Sequence, residues 1–150
     1  SIARLGERAG RNFNFNVELS DTMDSWRLVI WAEEQGKGED LIAAIGRRYF
    51  EEGQQLANHA MLLSAVDEAG LNTSDAEAVL GGNGFRDKVM QHYRWAVEEQ
   101  GISSIPVFLV SDPAGTFRTV VHGSASVQDF SRVLAKAAEA MVDDADAACM

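Results

Sequence analysis

Apolar positions along this 150-residue chain recur mostly at helical spacing, and only near residue 107 does the pattern change to a short continuous apolar run. Ile2 to Ala9 reads as the last turns of a helix stopped by Gly10, after which Phe13, Phe15 and Val17 alternate as a short extended segment. Ser20, Asp21 or Thr22 caps a helix running to about Gln35. Within it Trp26, Leu28, Val29, Ile30, Trp31 and Ala32 cover nearly the whole circumference, which predicts burial. A second helix, from about Glu39 to Glu52, carries Leu41, Ile42, Ile45 and Tyr49 as one stripe, with Gly53 after its end.

Asn58 caps a third helix that turns Met61, Leu62, Ala65, Val66 and Ala69 inward, and the following Gly70-Leu71 predicts a Schellman ending. Thr73 or Ser74 starts a short helix through Leu80. Gly81-Gly82-Asn83-Gly84 breaks it, as a helix break or hinge, and a long helix from Phe85 to Gln100 carries Val89, Met90, Tyr93, Ala96 and Val97 inward. Val107 to Val110, a turn at Asp112-Pro113-Ala114-Gly115, and Phe117 to Val121 read as an antiparallel hairpin. Ser126 caps a final helix through about Met141.

Composition narrows the classes of function. A hydrophobic content of 46% in 150 residues is enough for one core of ordinary size. Thirteen Lys and Arg against 23 Asp and Glu leave a formal charge of -10, which repels phosphate backbones and argues against nucleic acid or an anionic membrane as the main partner. No stretch approaches the roughly 18 apolar residues of a spanning helix. The first residues show neither a signal-type apolar run nor an initiating Met, so the sequence reads as a fragment.

The side chains that could carry chemistry are few. Cys149, in the acidic tail, is the sole cysteine; it has no internal partner and lacks the positive surroundings that activate a thiol, so it reads as a bystander. His59, His92 and His122 lie far apart, without the spacing of metal ligands, and no metal site is expected. Glu33-Glu34 and Glu51-Glu52 are adjacent on their helices, point in different directions and read as solvated faces. Glu34 also falls in a last helical turn, where a local basic partner or solvation must offset the helix dipole. Gly81-Gly82-Asn83-Gly84 has neither the lysine of a phosphate loop nor a preceding strand. Trp26, Trp31 and Trp95 sit on apolar faces and are expected to pack.

Pro106 stands out. It opens the apolar run of Ser104-Ile105-Pro106-Val107-Phe108, and a proline is tolerated in a strand at its first residue, on an edge or in a bulge. An X-Pro bond is also the one peptide link with a low cost for the cis form. From these residues alone the choice stays open between a strand-entry proline and a loop that presents backbone to a substrate.

The order of the whole pattern resembles the C-terminal two-thirds of a DsbA-family thioredoxin-like protein, in particular its FrnE-type branch. The family's Gly-Val-Pro-x-Phe loop is matched by Ser104-Ile105-Pro106-Val107-Phe108, and the glycine after its hairpin by Gly123. Asp21-Thr22-Met23-Asp24-Ser25-Trp26 echoes an Asn-Thr-x-x-Ala-His pattern, while Tyr49-Phe50-Glu51-Glu52-Gly53 and Glu68-Ala69-Gly70-Leu71 look like two of the family's helix endings. The resemblance implies an incomplete α/β thioredoxin-like fold. Its parts would be residues 1-17 entering a helical insertion, residues 18-100 forming that insertion, and residues 101-150 supplying the proline loop, hairpin and last helix of the thioredoxin-like domain.

The same resemblance implies a function. The Cys-x-x-Cys segment of such proteins lies upstream of these residues, so this chain would carry no catalytic group of its own and no cofactor. Ile105 and Pro106 would be the substrate-binding positions, facing protein or peptide thiols and disulfides. Ser104 departs from the family's glycine. A two-stranded sheet without neighbours is marginal, so the hairpin edge is expected to be buried by homo-oligomerisation, a swapped element or different helix packing. One unpaired cysteine and no export signal suit a cytoplasmic setting. Two other readings stand beside this one: a glutathione-dependent isomerase or kappa-class glutathione transferase of the same fold, which would use glutathione, and a noncatalytic acidic helical module that meets a basic partner.

Overall fold

A computed structural model describes residues 2–113, 115 and 117–147, the last seven by their backbone. They form α1 (Ile2–Arg8), α2 (Met23–Glu33), α3 (Gly38–Phe50), α4 (His59–Glu68), α5 (Thr73–Gly81), α6 (Arg86–Arg94), a π-helical turn (Trp95–Glu99), the strands β1 (Val107–Ser111) and β2 (Arg118–His122), and α7 (Val127–Ala147). The chain divides into two compact units, one ending at Arg94 and one starting at Trp95. This is the helix-rich α/β character expected from the hydrophobic pattern.

In the first unit, α2 to α5 enclose one apolar core. Leu28, Leu41, Leu62 and Val66 are its largest fully buried side chains, and Trp31, Ile45, Met61, Leu71 and Leu80 complete it with small residues between them. The helix ends follow from local chemistry. Asn58 accepts the Met61 N–H at 3.2 Å, so α4 begins where its cap is. It ends in a Schellman motif: the Leu71 N–H reaches the Val66 carbonyl at 3.1 Å, the Gly70 N–H reaches the Asp67 carbonyl at 2.9 Å, and Gly70 takes φ +76. α5 starts at Thr73, one of the two expected starts, and its capping side chain is Asn72, whose carboxamide oxygen reaches the N–H groups of both Ser74 and Asp75.

Four expectations need correction here. Phe13, Phe15 and Val17 do not form a strand; residues 11–22 are irregular. Phe13 and Phe15 pack edge to face on each other, Phe13 also meets Phe50, and the Asn14 N–H bonds the Phe50 carbonyl at 2.7 Å. A single main-chain bond to a helix end offers no ladder, so alternation alone could not make a strand. Trp26 breaks the all-round burial of α2, being 46% exposed, and on α3 Ile42 is exposed rather than part of the core stripe. The expected long helix from Phe85 to Gln100 is α6 followed by the π-helical turn, and neither contains a buried residue. Tyr93 and Val97, expected inward, are exposed.

The second unit is built on the β1–β2 hairpin. Its register pairs Val107 with His122, Leu109 with Val120 and Ser111 with Arg118. The six-residue connection is held by Asp112, which is buried, accepts the Phe117 N–H on its carboxylate at 3.0 Å and donates its own N–H to the Phe117 carbonyl at 3.1 Å. Phe108 packs edge to face on Phe130 of α7, with ring centres 4.9 Å apart. Alternation along the strands therefore turns Phe108 and Val110 toward α7, and Val107 and Leu109 to the opposite face. Ser126 caps α7 in a capping box with Asp129: its hydroxyl accepts the Asp129 N–H at 3.1 Å and donates to the Asp129 carboxylate at 2.6 Å. Hydrogen bonds from the Ser126 hydroxyl and then its backbone N–H hold the Asp129 carboxyl below the ordinary aspartate range.

Candidate functional site

The loop that carries Ile105 and Pro106 is set by the chain on both sides of it. Upstream, the π-helical turn closes with the Gln100 N–H on the Trp95 carbonyl and the Ile102 N–H on the Ala96 carbonyl, each at 2.9 Å. Gly101 between them takes φ +64, a conformation that other residues adopt at a cost. Downstream, the Pro106 carbonyl accepts the Gly123 N–H at 2.8 Å, which ties the start of β1 to the turn after β2. Gly123 has φ +72. The Ile105–Pro106 peptide bond is cis. Between these anchors the Ile105 side chain stands 88% exposed, and Pro106 is exposed beside it.

A groove runs along one face of this unit. Residues 100–104 form one wall, and Val107, Leu109, Val120 and His122 form its floor. Leu109 and Val120 are 40% and 43% exposed, so the floor is an open apolar strip. Arg118 donates to the Gln100 side chain at 3.1 Å and holds that wall against the end of β2. No other strand pairs with β1 or β2 among the described residues. The result is an exposed apolar side chain at the mouth of a strand whose outer edge keeps its main-chain donors and acceptors, an arrangement able to accept an extended peptide.

Of the other singled-out residues, His122 lies on the groove floor. Cys149 lies outside the described residues. His59 sits at the start of α4 and shares a 2.8 Å hydrogen bond with Asp24 of α2, and His92 is exposed on α6. Among the described residues no three His, Cys, Asp or Glu side chains cluster as a metal site, and no helix is long and apolar enough to cross a membrane. Three of the four paired glutamates are surface ion-pair partners: Glu34 meets Lys88, Glu51 meets Arg11 at 3.0 Å, and Glu52 meets Arg47. Of the two expected offsets at the α2 terminus, a basic partner or solvation, Lys88 supplies the first. Of the tryptophans, Trp31 packs in the core while Trp26 and Trp95 are largely exposed.

Arg27 is what the hydrophobic pattern concealed. It lies within the apolar run of α2, is 5% exposed and spends its guanidinium on the corner between α5 and α6. Nε donates to the Gly84 carbonyl at 2.7 Å and Nη2 to the Gly82 carbonyl at 2.6 Å and to the Val79 carbonyl, while Nη1 meets the Asp24 carboxylate at 2.6 Å. The Gly81–Gly84 break, read from sequence as a helix break or hinge, is therefore a fastened corner. Asp24, three residues before Arg27, was the legible signal, since i,i+3 neighbours share a helix face. Burial pushes the Asp24 carboxyl up, but hydrogen bonds from His59 and Arg27 and the charges of both outweigh it and leave it below the ordinary aspartate value.

Comparison with known proteins places this geometry among thioredoxin-like folds. A family profile for the DSBA-like thioredoxin domain matches residues 1–135. The chain is 26% identical over 136 residues to the uncharacterized protein YwbO of Bacillus subtilis (strain 168), covering 89% of this chain and 65% of that protein. The crystal structure of a probable DsbA oxidoreductase from Streptomyces coelicolor superposes with a TM-score of 0.79 at 23% identity, over 91% of this chain and 57% of that one. This chain thus spans about two-thirds or less of the length of these two relatives.

Proposed function

The chain belongs to the DSBA-like thioredoxin domain family, and on that premise we propose that it is the substrate-facing part of a thiol–disulfide oxidoreductase or isomerase that acts on protein or peptide thiols and disulfides. In such exchange a thiolate attacks one sulfur of a disulfide, a mixed disulfide forms, and the other sulfur leaves as a thiolate. Cys149 is the sole cysteine of these 150 residues, so in this reading the attacking pair belongs to the parent protein outside them. The chain's own contribution is to hold the polypeptide that carries the target sulfur. Ile105 and Pro106 are the contact positions, and the main chain at Ile105 supplies hydrogen bonds to an extended segment.

The observation that carries this reading is the 88% exposure of Ile105, a large aliphatic side chain held out at the mouth of an apolar strand. An isolated exposed aliphatic residue is ordinary; one held between the Ile102 and Gly123 hydrogen bonds, in the loop that borders an open groove, is suited to a partner. The test is insulin reduction, or refolding of scrambled ribonuclease, by the parent protein. Ile105→Asp there is expected to raise the substrate KM and to slow mixed-disulfide formation, with the reactivity of the cysteines toward a small thiol reagent unchanged. The 150-residue chain alone is expected to be inactive. Full activity of the Ile105→Asp parent, or turnover by the isolated chain equal to that of the parent, would sink the reading.

A further inference from the structure

We propose that α6 is a latched arm: a helix held to the rest of its unit by the Arg27 guanidinium and two minor fasteners, able to release while the α2–α5 core stays folded. Every side of the arrangement points this way. The apolar core closes on residues from Leu28 to Leu80, and α6 contributes no buried residue to it. Helices with few buried apolar contacts and solvent-exposed backbone bonds open at lower free energy than the core beside them. Val89 and Met90 are only half-buried.

What keeps α6 in place is concentrated at its N-terminal end. Arg27 takes the carbonyls of Val79, Gly82 and Gly84 at the end of α5 and the glycine turn after it, where the helix ladder has run out. The positive guanidinium also meets the negative end of the α5 dipole. Next to the clamp, Phe85 is the one residue other than glycine with positive φ, +65, among the described residues. An aromatic residue adopts that conformation only where its surroundings impose it; here its ring plugs the edge of the core and receives the Lys88 ammonium 5.2 Å from its centre. Lys88 in turn pairs with Glu34 at the end of α2. Clamp, plug and ion pair all lie within the first turn of α6 or before it, so the helix beyond has no comparable anchor. At its far end it runs directly into the π-helical turn that leads to the Ile105 loop. Nothing in this latch depends on what Ile105 meets.

Hydrogen–deuterium exchange read by mass spectrometry on the 150-residue chain tests the latch. In the unmodified chain, peptides covering 86–94 are expected to exchange faster than those covering α4. Arg27→Lys keeps the charge but cannot span three carbonyls, and is expected to speed exchange in 82–94 by more than about tenfold, since each lost bond is a charged one, with α3 and α4 unchanged. Lys88→Ala is expected to do the same more weakly. Arg27→Leu reports the larger loss if it folds; Arg27→Lys and Lys88→Ala decide the matter if it does not. Protection of α6 equal to that of α4 in the unmodified chain would overturn the proposal. So would acceleration spread evenly over α2 to α5 in Arg27→Lys, which would make Arg27 a core residue rather than a latch, or no change in 82–94 in both Arg27→Lys and Lys88→Ala.

Discussion

The unit ending at Arg94 and the unit beginning at Trp95 treat their apolar residues in opposite ways. In the helical unit fifteen buried hydrophobic residues form one continuous cluster, and its two most buried arginines, Arg27 and Arg48, spend their charges on backbone carbonyls and carboxylates. In the hairpin unit Ala137 is the one described hydrophobic residue that is buried, and Leu109, Val120, Val127 and Leu134 all face outward. Helices can wrap a core between themselves because each buries a stripe against its neighbours. A two-stranded sheet with one helix covers one face and leaves the other open, and that open face is where the candidate site lies. The self-sufficient core and the open apolar face are thus separated along the chain.

The sharpest way to break this comparison is to truncate equivalent leucines. Leu62→Ala, at a fully buried position, is expected to cost about 2–5 kcal/mol, read from urea unfolding followed by far-UV circular dichroism. Leu109→Ala should cost less than half as much, and an equal loss would mean that the groove floor is covered in solution. Smaller in effect are the two caps. Asn58→Ala and Ser126→Ala should each cost about 1 kcal/mol, with Asn58→Ala lowering the unfolding midpoint of the helical unit and Ser126→Ala speeding amide exchange in α7 without touching α4.

Acid offers a finer probe. The Asp24 carboxyl is held below its ordinary value in the folded chain, so its contribution is complete above the unfolded value near 3.8 and fades as pH falls through the lower folded value. Thermal melts taken from neutral pH down to well below the ordinary aspartate range should show the native helical unit losing stability at the acid end, and Asp24→Asn starting lower but losing less there. A parallel acid limb in both proteins would remove Asp24 from the account. Smallest of all is the effect of Ile105→Asp on folding, expected within about 0.5 kcal/mol in the same urea experiment, which is what allows its effect on activity to be assigned to binding.

Much of this arrangement was legible in the residue pattern. Met61, Leu62, Ala65, Val66 and Ala69 recur at helical spacing between a capping Asn58 and Gly70, and all five are buried. The loop at Ile105-Pro106 was legible as a proline at the mouth of an apolar run, because proline's missing N–H restricts where it can stand. The misreadings share one cause. Phe13, Phe15, Trp26, Tyr93 and Val97 are apolar, and apolarity says that a side chain gains by burial without saying that a partner surface exists for it.

Taken alone, the order of apolar, capping and turn-forming residues determined the helices, the hairpin and the loop between them, since caps, glycine turns and periodicity act over a few residues. Tertiary structure alone decided which apolar faces found neighbours, that Asn14 would bond a helix end instead of a strand, and that Arg27 would cross more than fifty residues of sequence to fasten the Gly81–Gly84 corner. Those outcomes depend on where several helices meet, and a buried guanidinium is stable only when every carbonyl it needs converges on it at once.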